Sequence, residues 1–127
     1  MALLIPAGTQ ILGGLELGGV PIATMLSSIT SLPALFVCKE AKTYGTCRLA
    51  EGGNVDGRTV TLVEDIVTTG GAVRAATVAL RERGAVVTDV VCTIDRSRPD
   101  EDPLADLQIT TTALFTRADL DAHAARS

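Results

Sequence analysis

Residues 60–72, VTLVEDIVTTGGA, constrain the fold more than any other stretch of the chain. An apolar run that reads as a strand, TVTLV (59–63), ends in two carboxylates, Glu64 and Asp65, and Thr68, Thr69, Gly70 and Gly71 follow. The next residues, AVRAATVALRERG (72–84), carry Val73, Ala76, Val78 and Leu80 at helical spacing. Arg81 and Arg83 lie in the last turn before Gly84, where the helix dipole and a glycine C-cap favour them. A strand that enters a helix through so tight a turn is one half of a βαβ unit, which implies a parallel sheet.

The rest of the chain repeats the pattern. QIL (10–12) reads as a short strand that breaks into a glycine-rich loop, GGLELGG (13–19). Pro21 suits the first turn of a helix over 21–31, with Ile22, Met25, Leu26 and Ile29 on one side and Pro33 beyond its end. ALFV (34–37), AVVTDVVCTI (85–94) and QITTTALF (108–115) read as further strands. Residues 38–58 hold four glycines and no sustained period, so they read as a long functional loop or mobile hairpin. The tail, about 116–127, reads as a short helix or a frayed end, and MALLIP (1–6) as the end of a helix. Strands alternating with helices over 127 residues imply one α/β domain, 1–127, with a mostly parallel sheet and ligands at the strand carboxyl ends.

Several classes of function are disfavoured. A net charge of −4 argues against a broad nucleic-acid or anionic-membrane footprint, though a local basic pocket stays open. Cys38, Cys47 and Cys92 show no CxxC spacing, and the one histidine, His123, lies in the tail, so neither a zinc site nor a Cys-His or Ser-His-Asp arrangement is expected. Three scattered free thiols suit a cytoplasmic protein. No apolar run approaches the ~20 residues of a membrane span, and the N-terminus lacks the basic flank of a signal peptide.

The turn before the second helix poses a chemical puzzle. Backbone N–H groups at the positive end of a helix dipole, with the Thr68 and Thr69 hydroxyls beside them, make a phosphate cradle. It is neither a Walker loop nor a GxGxxG turn. Carboxylates repel phosphate, yet Glu64 and Asp65 stand next to it. A sugar phosphate reconciles the two: the acids accept hydrogen bonds from vicinal hydroxyls while the phosphate sits one turn along. Ribose 5-phosphate meets both requirements. A plain strand–turn–helix corner would need neither the paired acids nor the glycine pair.

The stretch VTLVEDIVTTGGA resembles the signature of the type I phosphoribosyltransferases along its whole length. GGLELGGVPIAT, KEAKTYGTCRLAEGG and a strand ending in IDR are similar to the orotate branch, and the similarity runs from about residue 6 to residue 116. The resemblance implies a type I phosphoribosyltransferase-like fold and transfer of ribose 5-phosphate from phosphoribosyl pyrophosphate (PRPP) to orotate. The products would be orotidine 5′-monophosphate and pyrophosphate, on the route to UMP. It further implies Mg²⁺ carried through PRPP with no direct protein ligand, and a homodimer whose loop lysine reaches the partner's site.

By the same resemblance Glu64 and Asp65 hold the ribose hydroxyls, and Thr68, Thr69, Gly70, Gly71 and Ala72 wrap the 5-phosphate. Lys39 and Lys42 are the loop lysines that bind PRPP, with Lys42 and Asp65 in the catalytic roles. Thr68 and Arg96 face orotate, the guanidinium matching a planar carboxylate. Residues 14–19 correspond to a loop near the pyrophosphate, and Arg48 either holds phosphate or faces solvent. Two departures accompany the match. Cys38 stands where the family usually has arginine, and the segment that forms a hood over the base in the family precedes the position of Met1. A non-catalytic PRPP- or nucleotide-binding module is therefore the alternative to an enzyme.

Overall fold

The computed structural model of the chain describes residues 1–39, 44–46, 54–98 and 100–125. Six strands form one sheet: β1 (Ile11–Leu15), β2 (Ala34–Lys39), β3 (Tyr44–Thr46), β4 (Thr59–Val67), β5 (Val86–Asp95) and β6 (Thr110–Thr116). Their spatial order is β3-β2-β1-β4-β5-β6. All neighbouring pairs are parallel except β2 with β3, an antiparallel edge hairpin whose second strand lies in the span read as a loop or a hairpin.

The helices follow from this order. The chain leaves β1 for β2 on one side and later crosses from β4 to β5 on the other. Right-handed crossovers in opposite directions place their helices on opposite faces. α1 (Gly19–Thr30) covers one face and α2 (Gly71–Glu82) the other. Alternation along the strands divides the core accordingly. Leu12 and Val63 pack with Ala23 and Leu26 of α1, while Ile11 and Leu62 pack with Val73, Ala76 and Leu80 of α2. A third helix, α3 (Arg117–Ala125), forms the tail, and the start of the chain makes a 3₁₀ turn, Ala2–Leu4, in place of the expected α-helical end.

Three boundaries differ from the sequence reading, each for a physical reason. β1 continues through Gly13 and Gly14 to Leu15, so the glycine stretch begins inside the sheet. Gly14 is needed there because a Cβ would lie 2.8 Å from the Ala23 Cβ and 2.9 Å from the Gly19 carbonyl oxygen. β4 runs four residues past Val63, because β5 stays paired with it up to Val67 opposite Asp95. The acids therefore lie within a strand and not at its end. α1 starts at Gly19, two residues before Pro21.

The order of strands reverses between β1 and β4, since their successors lie on opposite sides. In open α/β sheets that reversal leaves a crevice beyond the strand carboxyl ends, where ligands bind. The end of β1 and the end of β4 border it.

Candidate phosphate and sugar site

Glu64, Asp65 and the turn Thr68–Gly71 lie together at this crevice. Glu64, Thr68, Thr69, Gly70, Gly71 and Ala72 line one cavity of about 140 Å³ at the head of α2. Gly70 is the N-cap of α2 and has φ +79°, a left-handed conformation that glycine adopts without a Cβ penalty. The first turn of α2 contains no acidic residue, and no side chain caps its N–H groups. Those donors are oriented for an anion, and the exposed Thr68 and Thr69 stand beside them. The five residues expected to wrap a phosphate thus line one cavity with Glu64, and Asp65 is not part of its lining.

The two acids occupy different environments. Glu64 is 9% exposed, and its Oε1 accepts the Asp65 N–H at 3.0 Å. Burial, and then the neighbouring Asp65 carboxyl, push the Glu64 carboxyl up to about 7. Asp65 is half-buried, and its Oδ1 accepts the Ile66 N–H at 2.8 Å. Cys92 sits opposite Glu64 on β5 and is fully buried. Burial and the carboxylates of Asp95, Glu64 and Asp65 push its thiol up to about 12, so it stays protonated and unreactive.

The raised Glu64 carboxyl has a consequence for stability. Below pH 4.5 the group is neutral whether the chain is folded or unfolded, and its burial costs nothing extra. As pH rises toward 7 the unfolded chain ionises first, so the stability of the unliganded protein falls across that window. Two and a half pH units correspond to about 3 kcal/mol. Urea unfolding at either end of the window should show the parent losing more stability than a Glu64→Gln variant.

The loop after β1 supports Asp65 from the other side. A Cβ on Gly18 would overlap the Asp65 carboxyl, and one on Gly19 would overlap the Val63 carbonyl oxygen. These glycines admit the start of α1 to the β4 backbone, in addition to any approach to an anion. The GLELGG spacing marked the loop but gave no sign of this contact with Asp65.

Arg96 follows β5 at the same sheet end. Its backbone N–H donates to the Val67 carbonyl at 2.7 Å, and its side chain is exposed. It does not line the cradle cavity. Lys39 is the last residue of β2. Lys42 and Arg48 lie outside the described residues. Cys38 is disulfide-bonded in this structure, which corrects the expectation of three free thiols; Cys92 is free. Among the described residues no group of three histidine, cysteine or carboxylate side chains could hold a metal ion, and no helix is long and apolar enough to cross a membrane.

Known proteins share this fold. The model of the phosphoribosyl transferase domain matches residues 9–116. An orotate phosphoribosyltransferase from a Nocardioides species is 64% identical over 119 residues, covering 94% of this chain and 66% of the relative. One from Methanocella arvoryzae is 38% identical over 120 residues, covering 94% and 69%. Among solved structures, orotate phosphoribosyltransferase from Aeropyrum pernix superposes with a TM-score of 0.74 at 28% identity, covering 91% of this chain and 66% of that one. The Mycobacterium tuberculosis orotate phosphoribosyltransferase in complex with PRPP superposes with a TM-score of 0.68 at 31% identity, covering 88% and 65%. The chain thus spans about two thirds of the length of these relatives.

Proposed function

Because the chain belongs to the phosphoribosyl transferase domain family, we propose that it transfers ribose 5-phosphate from PRPP to orotate, yielding orotidine 5′-monophosphate and pyrophosphate for UMP synthesis. The observation that carries this reading is the cavity shared by Glu64 and the Thr68–Ala72 turn, which sets a carboxylate acceptor and the amide donors of a helix start around one space. The match to orotate phosphoribosyltransferases over nearly the whole chain supports orotate as the acceptor.

In this reading the backbone amides of Gly70, Gly71 and Ala72, with the Thr68 and Thr69 hydroxyls, bind the 5-phosphate. Glu64 and Asp65 accept the ribose hydroxyls and orient the anomeric carbon. Negative charge builds on the departing pyrophosphate, and Lys42, assisted by Lys39, stabilises it while the loop excludes water. Arg96 and Thr68 engage orotate, with the guanidinium on its carboxylate. Mg²⁺ would travel on the diphosphate oxygens of PRPP, hard ligands suited to it, and would neutralise part of the leaving group's charge. One oxygen of each nearby carboxylate accepts a backbone amide and the other is left for a ribose hydroxyl, so in this reading the metal would come with the substrate. A cytoplasmic homodimer sharing the loop lysine across its interface completes the proposal.

The test is orotate consumption, followed by absorbance, with the purified chain, PRPP and Mg²⁺. Turnover supports the enzyme reading; PRPP binding without turnover favours the binding module. Lys42→Ala should lower turnover by ~100-fold and leave PRPP affinity within about threefold, because the lysine acts where charge develops. Equal losses in both would assign Lys42 to ground-state binding.

A further inference from the structure

The phosphate turn rests on a second layer that no site motif includes. Leu104, from the segment between β5 and β6, is fully buried and presses on Gly70: a Cβ at position 70 would stand 2.9 Å from its Cδ2. Among its described residues the segment has little regular structure, only the 3₁₀ turn Ala105–Leu107. Arg74 fastens it to α2. Its guanidinium donates to both Asp106 carboxylate oxygens, at 2.7 and 2.8 Å, and to the Pro103 carbonyl at 2.8 Å. Its backbone N–H donates to the Gly70 carbonyl at 2.8 Å. A closed circuit results, from Gly70 to Arg74, from Arg74 to the residues flanking Leu104, and from Leu104 back to Gly70.

The side chains of Arg74 and Asp106 are 41% and 64% exposed. An ion pair so open to water adds little to global stability, yet three hydrogen bonds from one planar group impose a definite geometry. We propose that Arg74 is a positioning residue for the phosphate-binding turn: by pinning Pro103 and Asp106 it holds Leu104 against Gly70 and fixes the direction of the 70–72 amides. The proposal rests on the reading that this turn takes a phosphoribosyl group.

The deciding variant is Asp106→Asn, titrated with ribose 5-phosphate beside the parent chain. Asn leaves the Arg74 charge in place but breaks the two-point fork. If Arg74 acted only through its electric field, removing a nearby negative charge would tighten binding. Positioning requires the opposite sign, a loss of roughly fivefold, because a supporting layer left loose misaligns the donors above it. Amide hydrogen exchange in the ligand-free protein gives a second readout. It should quicken at Gly70–Ala72 while β1 keeps its protection. Unchanged or tighter binding by Asp106→Asn would overturn the proposal, as would exchange that is unchanged at the turn or uniformly faster through the sheet. A parent chain that binds no ribose 5-phosphate would instead sink the phosphoribosyl reading, and the exchange comparison would still decide the clamp.

Discussion

Replacing Asp65 by Asn should weaken PRPP binding by ~10- to 100-fold and leave the melting temperature nearly unchanged, since a charge-assisted hydrogen bond contributes about 1.5–3 kcal/mol. The asymmetry follows from what the side chain does in the fold. Among the described residues its carboxyl accepts the N–H of Ile66, and the carbonyl of Asn can accept the same bond. The residue is only half-buried, so the substitution strands no group in the core. What is lost is the negative charge to which, in the proposed reading, a ribose hydroxyl would donate. Calorimetric titration with PRPP alongside thermal unfolding separates the two effects. A variant that binds normally, or one that unfolds before it can be titrated, would remove Asp65 from the site.

Gly19→Ala should act in the opposite way, destabilising the fold by about 3 kcal/mol, the cost of overpacking a core that cannot relax. Alanine is the better helix former by up to about 1 kcal/mol, so propensity alone would favour the change at the first residue of α1. It loses because the new Cβ overlaps the Val63 carbonyl oxygen, a backbone atom of a central strand with nowhere to move. The melting temperature should fall by roughly 10 °C. Gly8→Ala is the control, since nothing lies within 4 Å of a Cβ there. Equal behaviour of the two variants would mean that α1 does not approach β4 as closely as the structure has it.

These two residues also mark how far the sequence could be read. The site motif was legible because its chemistry is local. Paired acids, two threonines and two glycines lie within eight residues, and one strand–turn–helix corner brings Glu64, the threonines and the glycines to one cavity. The parallel order of the sheet was legible from alternating strand and helix patterns. Where the sequence misled, a tertiary contact had replaced a local signal. Gly13 and Gly14 read as loop because glycine carries no period-two pattern, yet pairing with β2 and β4 holds both in β1, with strand side chains close to Gly13 and α1 close to Gly14. Glu64 and Asp65 read as the end of a strand because they are charged, yet pairing with β5 carries β4 past them.

The support beneath the phosphate turn left the weakest trace. Leu104 is one of two leucines in the largely polar run RSRPDEDPLADLQ and gives no sign that it is buried against Gly70. Arg74 stands on a helix face that reads as ordinary surface, and its partner Asp106 is thirty-two residues away. No spacing rule links positions so distant. Only the fold brings them together.

The most direct measurement is a titration of the isotope-labelled chain with ribose 5-phosphate, followed by backbone amide shifts. The structure predicts the largest changes at Thr68–Ala72, smaller ones at Glu64, Asp65 and Gly18, and none at α3. Shifts concentrated elsewhere, or none at saturating ligand, would contradict a phosphoribosyl site at the end of β4.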